Sequence, residues 1–156
     1  MADLDRRRSI TGYVCMQAGG PTFWSSEYQP MVATSTSKAE YMAQLRGAQQ
    51  IMWMYSALEE IGLPQPRPAQ LLGNNNAAHH IAHNWTGAAR IKHIVVREHY
   101  IRERVSEGDV QIDYVPSADN IADLLTKPLG RNQHMRFCLA LRLCEPSDPI
   151  LRGIRT

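Results

Sequence analysis

The sequence predicts a mixed α/β fold, in which helices pack on a sheet with both antiparallel and parallel strands. Two observations support this class: a hairpin pattern comes early in the chain, and strand and helix patterns alternate after it. With 156 residues, of which 44% are hydrophobic, the chain suits one globular domain with a single core. We place that domain at residues 1–144 and expect a loose tail at 145–156, where two prolines fall.

The hairpin is predicted from alternation of side chains. From Ser9 to Gln17 the side chains alternate with a period of two residues, which is typical of a strand. Gly19-Gly20-Pro21 then predicts a turn, and Thr22–Ser26 is expected to run back as the partner strand. Val32–Thr34 is a candidate for a further short strand.

The longest helix is predicted to begin at Ser37-Lys38-Ala39-Glu40, which matches a capping box, and to end at Gly62. A short buried strand is expected at Gln70–Leu72, and Val110–Val115 alternates as a further strand. The other helices are predicted at residues 76–83, 94–106, 116–128 and 132–143.

Composition narrows the class of protein. The net charge of +2 is small for a dedicated nucleic-acid binder, although Arg7 and Arg8 belong to a local basic cluster. The three cysteines fit no metal-ligand spacing and indicate reduced thiols in an intracellular protein. We expect no membrane partner, because no stretch approaches the ~20 apolar residues of a membrane span.

Short segments spread over nearly the whole chain, from about Asp3 to Leu143, occur together in one known family. The segments are Arg7–Val14, Trp24–Ser26, Ala39–Ala43, Lys92–Ile94 with Ile101–Glu103, and Tyr114–Pro116 with Ala122–Leu129. In this order they resemble the ribonuclease H domain at the C-terminal end of copia-type LTR-retrotransposon Pol polyproteins. The resemblance implies a ribonuclease H-like fold and a location in a cytoplasmic particle or the nucleus. It also implies two partners, an RNA–DNA hybrid and the reverse transcriptase portion of a polyprotein.

The resemblance implies a two-metal nuclease. Such domains cleave the RNA strand of a hybrid with two Mg²⁺ ions, one activating water and one stabilising the leaving 3′-oxygen. Mg²⁺ prefers oxygen ligands, so carboxylates converge from four elements: the first strand, the long helix, the fourth strand and a late helix. On this chain the carboxylate of the long helix corresponds to Glu40, and that of the late helix corresponds to Asp123. Without the resemblance, Glu40 is a capping-box residue and Asp123 a first-turn aspartate favoured by the helix dipole.

Two of the four carboxylate positions depart from the family pattern. At the end of the fourth strand the family has aspartate, whereas this chain has Asn74, whose amide oxygen carries no negative charge. The first aspartate lies upstream of the segment that matches Asp3–Asp5, so we expect this chain to lack both that strand and its carboxylate. The hairpin and the strand at Gln70–Leu72 are then each expected to present an unpaired backbone edge.

Three functions remain open on the sequence. The first is a retrotransposon-derived ribonuclease H-like domain with little or no cleavage activity. The second is a non-catalytic module that binds RNA or an RNA–DNA hybrid. The third is a magnesium-dependent ribonuclease H that is active as part of a longer polyprotein supplying the first aspartate.

Overall fold

The structure is a computed structural model that describes residues 9–29, 36–74 and 92–143. Within these ranges the chain forms four strands, three α-helices and one 3₁₀ helix, and it divides into two compact units. We call Met1–Val32 with Ser117–Thr156 the hairpin unit, and Ala33–Pro116 the central unit. In chain order the elements are β1 (Ile10–Gln17), β2 (Gly20–Tyr28), α1 (Thr36–Glu60), β3 (Ala69–Gly73), α2 (Lys92–Ser106), β4 (Val110–Tyr114), the 3₁₀ helix (Ile121–Leu125) and α3 (Arg131–Ala140).

The mixed α/β class predicted from the sequence is confirmed, and the order of elements is consistent with a ribonuclease H-like fold. The described strands form two separate two-stranded sheets, β1 antiparallel to β2 and β3 parallel to β4, where we expected one mixed sheet. Among the described residues, β1 pairs only with β2 and β3 pairs only with β4, so no strand pairing joins the two sheets there. The candidate strand at Val32–Thr34 and the helix predicted at 76–83 lie outside the described residues.

The β1–β2 hairpin turns at Ala18 and Gly19, which both adopt positive φ angles, +50° and +81°. Glycine tolerates such angles because it has no Cβ. The register shifts between Cys15 and Met16, and the Thr22 hydroxyl donates a hydrogen bond to the Cys15 carbonyl at 3.2 Å. Burial raises the pKa of the Cys15 thiol, which keeps it protonated at neutral pH.

The helix predicted at 116–128 is wrong in type and length. The structure has a turn at 117–119, then Asn120 in an extended conformation (φ −75°, ψ 97°), and then the five-residue 3₁₀ helix. An extended residue interrupts the α-helical hydrogen-bond pattern, so no helix can run through from Ser117. Pro128 follows soon after, and the next helix, α3, starts at Arg131.

The core of the central unit lies between α1, α2 and the β3–β4 pair. Its buried members recur every three or four residues along α1 and every second residue along β4. These are the spacings at which one face of a helix and one face of a strand are buried, which explains why these segments form these elements. Leu71 of β3, which is itself partly buried, packs against this cluster. The buried members are Tyr41, Leu45, Ala48, Ile101, Val110 and Ile112.

One buried carboxylate joins several elements of the central unit. Asp109, 2% exposed, precedes β4 and accepts hydrogen bonds from the guanidinium groups of Arg67 and Arg104, the latter at 2.9 Å. Its backbone carbonyl accepts the Ala69 amide of β3 at 2.9 Å. The Tyr55 hydroxyl of α1 lies 3.3 Å from the same carbonyl, and the Arg67 guanidinium stacks 4.5 Å over the Tyr55 ring. Desolvation raises the pKa of Tyr55.

Among the described helices, none combines the length and apolar character that crossing a membrane requires.

Replacing Asp109 with asparagine should destabilise the chain, because two arginines lose their shared counter-charge. We expect Asp109→Asn to lower the free energy of unfolding by about 2–3 kcal/mol, less than for a fully buried pair because Arg67 is 45% exposed. Asp119→Asn is the matched control: Asp119 and its partner Arg136 are 58% and 55% exposed, so less than about 0.5 kcal/mol is expected. Urea unfolding measures both, and equal losses would contradict this role of Asp109.

Candidate functional site

Glu40 lies in the second turn of α1. The helix begins at Thr36, one residue before the predicted cap at Ser37, and its first turn contains no acidic residue. Glu40 therefore does not occupy the third helical position that a capping box requires, so the cap interpretation is wrong. Its side chain is half-buried, and its Oε2 atom is buried with no hydrogen-bond partner among the described residues.

Gln44 follows Glu40 by four residues on α1, so both side chains lie on the same face of the helix. Gln44 is only 6% exposed, and within the described part of the chain its buried Oε1 atom likewise has no hydrogen-bond partner. Its amide lies against Gly73 at the end of β3, where an added Cβ would sit 2.3 Å from Nε2. Sequence reasoning missed Gln44; its spacing of four residues from Glu40 was the available signal.

Asn74 follows β3 directly and is half-buried. The preceding residue, Gly73, is held by the parallel pairing with Tyr114 and by the Val115 amide, which donates to the Gly73 carbonyl at 2.9 Å. The neutral Asn74 thus comes immediately after the strand end against which Gln44 packs. In the central unit, we call Glu40 and Gln44 of α1, together with the end of β3 against which Gln44 packs, the α1–β3 site.

Asp123 belongs to the hairpin unit, in the 3₁₀ helix, and is 6% exposed. Its Oδ1 accepts a hydrogen bond from the Asn120 side chain at 3.2 Å. The Lys127 ammonium lies 2.6 Å from Oδ2, although that oxygen receives no hydrogen bond of good angular geometry. At this distance the charge attraction dominates whatever the angle, so we treat the two residues as an ion pair.

The position of Asp123 depends on the contact between the 3₁₀ helix and β1. Gly12 lies beneath the 3₁₀ helix, where an added Cβ would come within 2.4 Å of Thr126 Cγ2 and 3.1 Å of Leu125 Cβ. From β2, the Ser26 hydroxyl donates to the Leu125 carbonyl at 2.6 Å. A residue without a side chain at position 12 is therefore needed for this close packing.

The two candidate carboxylates differ in their surroundings. Among the described residues, Oε2 of Glu40 and Oε1 of Gln44 have no hydrogen-bond partner and are oxygen donors of the kind Mg²⁺ prefers, whereas Asp123 already pairs with the Lys127 ammonium. Within residues 9–29, 36–74 and 92–143, no group of three or more histidine, cysteine, aspartate or glutamate side chains is arranged to hold a metal. Arg7 and Arg8, predicted to contact nucleic acid, lie outside the described residues.

Comparison with known proteins identifies the origin of the chain. It is 37% identical over 131 residues, 84% of its length, to the retrovirus-related Pol polyprotein from transposon TNT 1-94 of Nicotiana tabacum. It is 33% identical over 135 residues, 86% of its length, to the Pol polyproteins from transposons RE1 and RE2 of Arabidopsis thaliana. The chain is similar to a segment of retrotransposon Pol polyproteins. The family resemblance drawn from the sequence is thereby confirmed at the level of the polyprotein.

The Pol-derived chain spans only a small part of these relatives, about 10% of the TNT 1-94 polyprotein and 9% of RE1 and RE2. No protein-family model matches it. No solved structure matches it either.

Substituting Gly12 should loosen the 3₁₀ helix that carries Asp123. We expect Gly12→Ala to lower the free energy of unfolding by about 1–3 kcal/mol, because its methyl group overlaps Thr126 and the backbone must shift. Gly20→Ala is the matched control, since nothing lies within 4 Å of a Cβ there. Hydrogen exchange should speed up at residues 121–125 in the first variant only. Unchanged exchange in Gly12→Ala would contradict the packing described here.

Proposed function

We propose that the Pol-derived chain is a ribonuclease H-like domain whose ancestral reaction is cleavage of the RNA strand of an RNA–DNA hybrid, and which itself has little or no cleavage activity. Its proposed partners are the hybrid and the reverse transcriptase portion of the polyprotein. The observation that carries the proposal is Asn74, a neutral side chain at the strand end beside Gln44, where the family resemblance implies a carboxylate.

In the proposed reaction, bound Mg²⁺ would supply an activated water and stabilise the leaving oxygen. Glu40 and Gln44 would hold such an ion in the central unit, since their buried oxygens have no other partner. Asn74 contributes at most a neutral oxygen there. Asp123 is neutralised by Lys127, so its carboxylate is available to a second ion only if that ion displaces the ammonium.

The size of the defect follows from charge. A carboxylate would hold the metal ion in place, and the ion would stabilise the negative charge that develops as the phosphodiester reacts. If its loss removes even ~4 kcal/mol of transition-state stabilisation, the rate falls on the order of 10³-fold. A chain with the fold and a neutral residue at position 74 is then a weak nuclease or none.

A hybrid cleavage assay tests this proposal. We expect Asn74→Asp, in a polyprotein segment that extends upstream of Met1, to cleave the RNA strand of a labelled hybrid on the order of 10³-fold faster than the same segment with Asn74. Asn132→Asp is the matched control, because Asn132 is an exposed residue of α3. Rates within tenfold of each other for Asn74 and Asp would contradict the proposed defect.

The same polyprotein segment distinguishes the two alternative functions, an active nuclease and a non-catalytic binding module. Cleavage with the natural Asn74 at the rate of the Asp variant would establish the active nuclease. Hybrid binding without cleavage in both the Asn74 segment and the Asn74→Asp segment, with an affinity that falls steeply as salt rises, would establish the binding module, because phosphate contacts release counterions.

A further inference from the structure

Two buried oxygen atoms on one face of α1 have no donor. They are Oε2 of Glu40 and Oε1 of Gln44, which are four residues apart on the helix and therefore neighbours on its surface. Buried polar atoms are nearly always satisfied, and two acceptors side by side cannot satisfy each other. The pair therefore needs a third species that attracts lone pairs, which is a cation or a donor.

Charge favours a cation over a neutral donor at this pair. Within the described residues no lysine or arginine forms an ion pair with Glu40, in contrast to Asp123, which has Lys127 at 2.6 Å, and Asp109, which has two arginines. One oxygen of the half-buried Glu40 carboxylate is shielded from solvent, and a polar atom there is unfavourable without a partner. A bound cation removes that penalty and at the same time satisfies the Gln44 oxygen.

The backbone of β3 leaves room for Gln44 to act in this way. Gly73 has no side chain, and the Gln44 amide occupies the space where a Cβ would lie, 2.3 Å from Nε2. Gln44 is held at the strand end that Asn74 follows, and its 6% exposure limits its movement. The Gln44 amide group is thus held at the strand end, one residue before Asn74.

We propose that Gln44 is a cation ligand of this chain, and that its Oε1 together with Oε2 of Glu40 binds one hard divalent cation at the α1–β3 site. The proposal rests on the proposed function and deepens it, since it assigns a second ligand to the metal position of Glu40. Oxygen donors select a hard ion such as Mg²⁺ or Mn²⁺. With a single carboxylate the affinity is weak, with a Kd on the order of 1 mM, because affinity for such ions rises with the number of charged ligands.

The test uses the chain without nucleic acid and Mn²⁺ as the probe. In a titration followed by NMR, Mn²⁺ should broaden the side-chain amide resonance of Gln44 selectively, and Mg²⁺ should compete for the same site. Gln44→Leu should weaken binding at least tenfold, and Glu40→Gln should abolish it. Gln49→Leu is the matched control, because Gln49 is an exposed glutamine of the same helix and should leave binding unchanged.

The unfolding midpoint provides a second test, because the results expected below differ from those of a variant that merely fails to fold. Gln44→Leu removes a buried acceptor without a partner, so in metal-free buffer its unfolding midpoint should equal or exceed that of the unmodified chain. Added Mg²⁺ should raise the midpoint of the unmodified chain and not that of Gln44→Leu. Gln44→Glu adds a carboxylate and should bind Mn²⁺ at least tenfold more tightly.

Two results would overturn the assignment. One is unchanged Mn²⁺ affinity in Gln44→Leu, which would leave Glu40 to bind without it. The other is the absence of any Mn²⁺ effect in the unmodified chain at 10 mM, about ten times the expected Kd, which would mean that water alone satisfies the pair. Neither result depends on cleavage, so the Gln44 assignment and the proposed nuclease defect fail separately.

Discussion

The central unit depends on one buried carboxylate, that of Asp109. Its side chain neutralises Arg67 and Arg104, while its backbone carbonyl accepts the Ala69 amide at the start of β3. The linker before β3, the end of α2 and the start of β4 are thereby fixed to each other. With β3 fixed at its start and paired in register with β4 along its length, its end is held where Gln44 packs against Gly73.

The buried acidic groups of the chain fall into two classes. Asp109 and Asp123 have cationic partners within the protein, which offsets the loss of hydration on burial. Among the described residues, Oε2 of Glu40 and Oε1 of Gln44 have no hydrogen-bond partner. The first two carboxylates are thus already paired within the protein, whereas the cation that we propose at the α1–β3 site would supply what the latter two oxygens lack.

Local patterns predicted much of the fold. Alternation gave the hairpin and β4, and the helical spacing gave α1 to within one residue of its observed start. The 3₁₀ helix was predicted as a longer α-helix, because its length is set by the extended backbone at Asn120 and by contact with Gly12, which lies far away in sequence. The division of the strands between two sheets depends on which strands pair over long sequence distances. The periodicity of a single segment does not contain that information.

The candidate site was predicted less completely. The positions of Glu40, Asn74 and Asp123 came from the family resemblance, since spacing alone favours a cap and a first-turn aspartate. The pairing of Asp123 with Lys127 depends on a tight turn that the sequence did not reveal. Gln44 was missed because glutamine is common on the exposed faces of helices, and its four-residue spacing from Glu40 does not by itself reveal that it is buried against Gly73.

If the Glu40 carboxylate is open to a cation while that of Asp123 is held by Lys127, the two groups must respond differently to Mg²⁺. A Mg²⁺ titration of the ¹³C-labelled chain, followed at the side-chain carboxyl carbons, measures both responses at once. We expect a saturable shift of the Glu40 signal and no shift of the Asp123 signal over the same concentrations. A saturable shift at Asp123 with Glu40 unchanged, or a joint shift of both with one affinity, would contradict it.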